Sequence, residues 1–255
     1  MCFLENTICH IAFKEMVVGS IPTGRTNMST NQIVDLTHTI DSNIPTWDGN
    51  CGFNMKVICD YKDCKAPDLF RIQSAEFVKL GTGTHMDAPA HCIEGGNTID
   101  AIPVSDLVTD CVVIKVDGIA DENYIIMPEV IENFEKENGK IKENTFVIFN
   151  TGWDKFWNDK TKYQNEYNFP SVHESTAKLL LERNISGLGT DTLSADTGKV
   201  GFPVHRVILG AGKYLVENIK NADKLPATGS KVFVMPIKVS GGTEAPIRLI
   251  AVYEK

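Results

Sequence analysis

The chain has 255 residues, of which 42% are hydrophobic and 23% are charged, and these proportions are ordinary for a globular protein of one or two domains. Its net charge of −8 argues against a nucleic-acid-binding surface, because phosphate binding needs clustered lysine and arginine. No hydrophobic run approaches the roughly 20 residues of a membrane-spanning helix.

The N-terminal segment, residues 1–29, differs from the rest of the chain. It lacks the basic start and the long apolar core of a secretory signal. Met28 opens a polar stretch that leads directly into the first predicted strand, so translation starting there is an alternative. We expect residues 1–29 to be a mobile tail.

Short strand patterns alternate with helical patterns in residues 30–255, which predicts one α/β domain. Strands are predicted at residues 33–36, 55–59, 71–80, 111–116, 145–150, 185–190, 232–238 and 247–253. Helices are predicted at residues 128–138, 171–183 and 202–209.

Three of these elements carry more specific signals. The strand at 111–116 is almost continuously β-branched, which is typical of a strand covered on both faces. The helix at 128–138 has proline in its first turn and glycine after its end. Ser171, with Glu174 three residues later, is a candidate cap for the helix at 171–183.

The seven cysteines are an odd number and contain no CxxC pair, so the sequence does not indicate a zinc ribbon or a thioredoxin-type site. We expect mostly reduced thiols in a cytoplasmic protein. Cys51, Cys59 and Cys64 are the remaining candidates for a metal site or a disulfide, against the alternative of idle thiols.

Residues 83–91 read Gly-Thr-His-Met-Asp-Ala-Pro-Ala-His and contain two of the chain's six histidines. His85 and Asp87 are two residues apart, so in an extended segment their side chains share one face. Pro89 keeps its predecessor extended, and His91 then returns from another direction. We expect the strand that ends before this segment to deliver it to the rim of a sheet. Such a cluster suits a divalent metal or an acid–base catalyst, and the alternative is a polar turn.

This motif resembles HxGTHxDxPxH, the signature of the cyclase family of metal-dependent amide hydrolases, which includes bacterial kynurenine formamidase and isatin hydrolase. Further segments resemble the family in the same order, from about residue 34 to residue 253. They are Asp35-Leu36-Thr37-His38 with Pro45 and Trp47, Thr151-Gly152-Trp153, Phe169-Pro170, and residues 189–196, 202–206 and 241–248. The resemblance implies a swivelling β/β/α fold, with a mixed β-barrel-like core surrounded by helices. It also implies a homodimer or homotetramer whose subunits complete each other's pockets.

The resemblance assigns roles to individual residues. His85 and Asp87 match metal ligands of the family, with Asp87 placed to bridge two ions where two bind. His205 and Glu217 match the pair that completes the second metal site. His91 matches the general acid/base.

The chain departs from the signature at Gly81, where the family has its first ligand histidine. Thr82 cannot replace an imidazole. Three outcomes are therefore open: water fills the position, only one metal binds, or metal binding is lost. Cys92 lies nearby in the sequence, and we expect a packed thiol there rather than a ligand.

The reaction that the resemblance implies is metal-assisted hydrolysis of a small aromatic amide. The leading substrate is N-formylkynurenine, which an arylformamidase cleaves to kynurenine and formate in tryptophan catabolism. Zinc or manganese, one or two ions per chain, would activate the water, and His91 would pass a proton to the leaving nitrogen. Two alternatives are an isatin-hydrolase-like enzyme acting on a lactam or lactone, and a diverged binding protein without catalysis.

Other side chains near these segments are weaker candidates, because packing or turn formation explains each of them equally well or better. They are His38 for the site, Trp47 and Phe53 for an aromatic pocket, and Asp191, Asp196, Thr151 and Trp153 as groups that orient the ligands.

Overall fold

The structure, a computed structural model, describes residues 31–199 and 201–254, so the predictions about residues 1–29 and Met28 lie outside the described residues. The strands in chain order are β1 (Asn31–Asp35), β2 (Phe53–Cys59), β3 (Ile72–Phe77), β4 (His85–Asp87), β5 (Val108–Lys115), β6 (Ile125–Ile126), β7 (Phe146–Asn150), β8 (Ser171–Val172), β9 (Gly187–Thr190), β10 (Tyr214–Glu217), β11 (Ser230–Pro236) and β12 (Glu244–Glu254). The α-helices are α1 (Val104–Leu107), α2 (Pro128–Asn138), α3 (Lys160–Gln164), α4 (Glu174–Glu182) and α5 (Pro203–Gly210). Within the described ranges, every helix is too short or too polar to cross a membrane.

A closed barrel forms the centre of the fold. Its strands follow the order β12, β11, β5, β7, β9, β10 and β4, and β4 pairs again with β12 to complete the ring. The pairs between β5, β7, β9 and β10 are parallel and the others are antiparallel. Strand β1 extends the sheet outside the ring, next to β12. This confirms the predicted α/β fold with a mixed β-barrel core.

The barrel wall carries clusters of apolar side chains on both faces. Phe146 and Ile148 of β7 pack in the cluster shared by the inward-facing residues of the ring. Val147 and Phe149 alternate with them and pack outside, in the cluster that contains side chains of α2, α4 and α5. Burial on both faces explains why the strands predicted at 111–116 and 145–150 read as continuous hydrophobic runs.

Strand β9 has glycine at its inward positions because neighbouring side chains fill that space. A Cβ at Gly187 would lie 2.6 Å from the ring of Tyr214, and one at Gly189 would lie 2.8 Å from the ring of Phe146. The Phe146 and Tyr214 rings stack with their centroids 5.7 Å apart. Two glycines therefore let aromatic rings fill this part of the interior.

Strands β2 and β3 do not belong to the barrel, so the prediction that the strand before residues 83–91 delivers them to the rim of a sheet is wrong. They pair only with each other within the described sheets and form a two-stranded arm whose side chains are mostly exposed. Strand β3 ends at Phe77, so no strand leads directly into the motif. The motif instead forms the barrel strand β4, whose three residues are all buried.

The predicted cap of the helix at 171–183 is also wrong. Ser171 lies in β8, which pairs in parallel with β6, and α4 begins at Glu174. His173 is the cap residue, and its Nδ1 accepts a hydrogen bond from the Ser175 amide at 3.2 Å. By contrast, the bounds predicted for α2 are those observed.

Candidate metal site

Strand β4 turns His85 and Asp87 to the outer face of the barrel. Met86, between them, is fully buried in the barrel interior. The side chains on either side of it therefore point the opposite way, and both His85 and Asp87 are buried there. The two-residue spacing predicted this shared face.

The two strands that flank β4 each place a carboxylate on the same face. Glu217 of β10 lies directly opposite His85. Glu244 of β12 lies directly opposite Asp87. Side chains opposite each other in antiparallel pairs have their Cβ atoms about 5 Å apart, so the register brings these groups together.

Helix α5 brings the second histidine over this face. Asp196 accepts hydrogen bonds from the backbone amides of Val204 and His205, each at 3.0 Å, and so caps the first turn of the helix. The same carboxylate lies 2.8 Å from Nδ1 of His205. One buried aspartate therefore fixes both the start of the helix and the orientation of the imidazole.

The four ligands expected from the family resemblance converge. His85 Nε2 lies 3.4 Å from an Asp87 oxygen and 3.6 Å from a Glu217 oxygen. His205 Nε2 lies 3.5 Å from the other oxygen of each carboxylate. Ligand atoms about 2.1 Å from a tetrahedral ion are roughly 3.4 Å apart, so each of these histidine–carboxylate pairs has the spacing of two ligands of one divalent cation.

The hydrogen bonds around the histidines leave their Nε2 atoms free to bind a metal. Nδ1 of His85 lies 2.9 Å from the carbonyl oxygen of Gly83, and Nδ1 of His205 faces Asp196. Asp196 is an acceptor, and so is the Gly83 carbonyl oxygen, which lies closer to His85 Nδ1 than the Asn218 amide nitrogen does at 3.4 Å. This assigns the hydrogen of each neutral ring to Nδ1. Asp87 Oδ1 is buried and has no hydrogen-bond donor among the described residues. A cation would satisfy this oxygen.

Burial and neighbouring charges shift the pKa values of two candidate ligands, Glu217 and His205. Burial and the negative charge of Asp87 raise the pKa of Glu217 to about 7. Burial also lowers the pKa of His205, but hydrogen bonds to Asp196 and Asp87 outweigh it, and the net pKa lies well above its usual value. The neighbouring carboxylates therefore favour the protonated form of His205, and a cation at its Nε2 would compete with that proton.

His91 lies at the rim of the site, in the short 3₁₀ turn Pro89–His91. Its side chain is 32% exposed, and its Nδ1 is 3.5 Å from a carboxylate oxygen of Glu244. Its ring centroid lies 6.1 Å from that of His205. His91 is thus close to the ligand cluster but still open to a substrate.

A cavity of about 260 Å³ opens beside the cluster and is lined by all four candidate ligands and by His91. Trp47 and Phe202 line it as well, with ring centroids 5.5 Å apart. Phe53 does not line the cavity and instead contacts Phe77 in the arm. The predicted aromatic wall therefore includes Trp47 but not Phe53.

Most of the weaker candidates from the sequence stabilise the fold and do not contact the candidate ligands through hydrogen bonds or ring contacts among the described residues. His38 is buried and stacks on Trp157 with ring centroids 3.8 Å apart, outside the cavity. Asp191 accepts hydrogen bonds from the amides of Thr151 and Trp153, so these three residues stabilise a turn. Asp196 is the exception, because it contacts a candidate ligand directly.

The cysteines of residues 31–254 do not join the candidate ligands. Sγ of Cys59 and Sγ of Cys64 are 3.9 Å apart and unbonded, and Cys51 does not join them. The prediction of a packed thiol at Cys92 is wrong, because this side chain is exposed. Within the described residues, no candidate metal cluster contains a cysteine.

Sequence reasoning missed three contributors to the site. Phe202 and Glu244 both line the cavity, although the sequence predicts only the start of a helix at Phe202 and no role for Glu244. Asn218 donates to the Gly83 carbonyl oxygen at 2.8 Å and so buttresses the segment before β4. Only strand register and helix placement bring these residues to the site, and no local sequence pattern reports either.

Comparison with known proteins identifies the family. The family model described as "Putative cyclase" matches residues 34–197. Isatin hydrolase of Roseibium aggregatum is 30% identical over 189 residues, which cover 68% of this chain and 72% of that protein. Kynurenine formamidase of Salinibacter ruber is 26% identical over 172 residues, which cover 66% of this chain and 74% of that protein.

The solved structure of isatin hydrolase A from Labrenzia aggregata, bound to benzyl benzoate, shares the fold. The TM-score is 0.80 at 33% identity, and the match covers 88% of this chain and 94% of that one. The relatives named here are hydrolases. A family match over more than half of the sequence, together with this shared barrel, shows that the chain belongs to the cyclase family.

Proposed function

We propose that this protein is a metal-dependent hydrolase that cleaves the carbon–nitrogen bond of a small aromatic amide. The leading substrate is N-formylkynurenine, which would give kynurenine and formate. The observation that carries the proposal is the convergence of two imidazoles and two carboxylates at 3.4–3.6 Å beside a cavity with aromatic walls. The domain that would carry this activity comprises residues 30–255.

His85, Asp87, His205 and Glu217 would hold the metal, zinc or manganese. Asp87 directs one oxygen towards each histidine, and Glu217 does the same, so the set can serve one ion or two. A bound divalent cation supplies Lewis acidity, which activates water and polarises the amide carbonyl.

His91 would transfer the proton to the departing nitrogen. It lines the cavity and is partly exposed, so a substrate can reach it. The carboxylate of Glu244, 3.5 Å from Nδ1, favours a ring orientation that leaves Nε2 free for the substrate. Because an arylamine leaves more readily than an alkylamine, this arrangement suits a formylated aniline.

The aromatic wall gives the substrate its orientation. Trp47 packs between Tyr167 and Phe202, with ring centroids 4.5 Å and 5.5 Å away. Hydroxyl and amide groups of Tyr167 and Gln164 donate to the Trp47 carbonyl oxygen at 2.8 Å and 2.6 Å, which fixes this segment. An aryl ring lying against Trp47 and Phe202 would present its amide to the ligand cluster.

The relatives support a second substrate, isatin, as strongly as they support N-formylkynurenine. Isatin hydrolase is 30% identical in sequence, and the structure of isatin hydrolase A has a TM-score of 0.80. Isatin is a cyclic aromatic amide, so the same ligands, aromatic wall and His91 would act on a lactam bond. The two substrates differ in shape rather than in the chemistry that they require.

Turnover by metal-loaded protein tests this proposal. The purified chain, with zinc and manganese content measured, is offered N-formylkynurenine and isatin. Formate release reports the first reaction, and loss of isatin absorbance reports ring opening. Metal-loaded protein that is inert on both substrates contradicts the proposal.

A diverged binding protein is the competing interpretation, and His91→Ala separates it from an enzyme. General acid–base catalysis contributes about 10²–10⁴-fold to a rate, so turnover should fall by that factor. Metal content separates this role from that of a ligand: His91, Asp87 and His205 each offer a ligand atom within 4.8 Å of the others, so a His91→Ala variant that keeps its metal supports the acid–base role. A variant with unchanged turnover would contradict the proposed role of His91.

We further propose a homodimer or homotetramer located in the cytoplasm. The β2–β3 arm and the segments next to it carry six large hydrophobic side chains that are at least half exposed: Met55, Ile58, Tyr61, Leu69, Phe70 and Val78. Exposed apolar surface of this kind marks interaction sites. The free thiols suit a reducing compartment. Light scattering of the native chain and of the Ile58→Lys variant measures the mass of the assembly. A monomeric native chain contradicts the proposed homodimer or homotetramer.

A further inference from the structure

The side chain of Glu244 occupies the space that a residue larger than glycine would need at position 81. A Cβ built on Gly81 would overlap Oε1 of Glu244 and would lie 3.0 Å from its Cδ atom. The same Cβ would lie 3.4 Å from Cδ2 of His85. The histidine that the family signature has at this position therefore cannot coexist with Glu244 as it stands.

Glu244 is also placed to bind a metal. It lies opposite Asp87 across the β12–β4 pair, and its side chain is 23% exposed. His85, Asp87 and Glu244 each offer a ligand atom, and these atoms all lie within 4.8 Å of one another. Asp87, whose Oδ1 is buried without a hydrogen-bond donor among the described residues, belongs to this group.

The charge pattern supports the same conclusion. Like charges directly opposite each other on antiparallel strands are destabilising. Asp87 faces Glu244 on one side and lies near Glu217 on the other, so three carboxylates share this face of the barrel. A cation between Asp87 and Glu244 would relieve this repulsion.

We propose that Glu244 is a metal ligand that replaces the histidine missing at position 81, completing a His85–Asp87–Glu244 site. The ligand comes from β12 instead of from the loop before β4. An oxygen donor in place of an imidazole shifts the preference of the site towards harder ions, manganese over zinc. The inference rests on the proposed metal-dependent function.

A reciprocal exchange tests the assignment in the full chain. The variants are Glu244→Ala, Gly81→His and the double variant G81H/E244A. Calorimetric titration with Mn²⁺ and Zn²⁺ gives the dissociation constants, and plasma mass spectrometry gives the metal content per chain. Glu122→Ala, which removes an exposed carboxylate in a loop, is the control for net charge.

Glu244→Ala should weaken Mn²⁺ binding by about 100-fold. Loss of a residue that only orients a ligand weakens metal binding by about 10–100-fold, and loss of a ligand itself should cost at least the upper end of that range. The double variant should recover Zn²⁺ binding, because the new imidazole enters the vacated space. Gly81→His alone should lower the thermal midpoint, because it overlaps Glu244. Should Glu244→Ala fail to fold, Glu244→Gln keeps the shape, and we expect it to weaken Mn²⁺ binding about 10-fold.

The outcomes separate the two proposals. A native chain that binds metal, with Glu244→Ala binding Mn²⁺ as tightly as Glu122→Ala does, overturns the ligand assignment and leaves the proposed function standing. Loss of turnover without loss of metal in Glu244→Ala also overturns the ligand assignment and leaves the proposed function standing, because Glu244 then acts only on His91. A native chain that binds neither metal contradicts the proposed function itself.

Discussion

Asp196→Ala tests how the candidate site is held together. Its carboxylate accepts from the amides of Val204 and His205 and lies 2.8 Å from Nδ1 of His205. All these residues are buried, so the alanine variant leaves three N–H groups without their acceptor. The substitution therefore releases the start of α5 and the imidazole at once.

The expected loss follows from these contacts. A helix-capping hydrogen bond contributes about 1 kcal/mol, and a hydrogen bond to a charged acceptor contributes about 1.5–3 kcal/mol. Two capping bonds and one imidazole bond together give a loss of about 3.5–5 kcal/mol in the free energy of unfolding. Metal affinity should fall by about 10–100-fold, because His205 is no longer oriented.

Urea unfolding in the presence of a chelator isolates the first effect, and calorimetric titration of a metal gives the second. Asp159→Ala is the matched control, because Asp159 caps α3 through one exposed hydrogen bond from the Lys162 amide. We expect that control to lose about 1 kcal/mol and no metal affinity. Equal losses of stability in the two variants would refute the reasoning about Asp196.

Two further predictions concern burial. Burial lowers the pKa of His38 from 6.5 to about 3, so the unfolded chain binds a proton that the folded chain excludes. Stability due to this residue should be complete above pH 6.5 and fall by about 1.4 kcal/mol per pH unit below it, and His38→Gln should remove that slope in urea titrations from pH 7 to 4. Equal slopes in both proteins would contradict this. Gly189→Ala places a Cβ 2.5 Å from Ile219 Cδ1 and should lower the free energy of unfolding by about 1–3 kcal/mol. Gly118→Ala, with nothing within 4 Å of the added Cβ, is the control, and equal urea midpoints would count against the packing argument.

The fold could be predicted best where local signals and burial agree. The bounds of α2 follow from proline in its first turn and Gly139 after its end. The capping signal at Ser171 failed because the same short pattern also fits a strand followed by a helix. Pairing of β8 with β6 takes Ser171 into a sheet, and a local pattern cannot report that partner.

For the candidate site, local spacing predicted neighbours along the chain and the family resemblance gave His205 and Glu217, but neither predicted Glu244. The spacing of His85 and Asp87 placed both on one face of β4. Glu244 reaches the same face only because β12 pairs with β4 in a particular register. That register depends on closure of the whole barrel, which short-range patterns do not encode.

Strand β4 has a consequence for the order of folding. Its three residues pair with β10 on one side and with β12 on the other, and both partners lie more than a hundred residues later in the chain. Contacts of such long range form slowly, because the loops that they close cost entropy before the contacts repay it. The strand that closes the ring also carries two of the candidate ligands, so the binding site should mature only in the last steps of folding. A cation that needs all of these ligands would then stabilise the finished barrel and would not nucleate it.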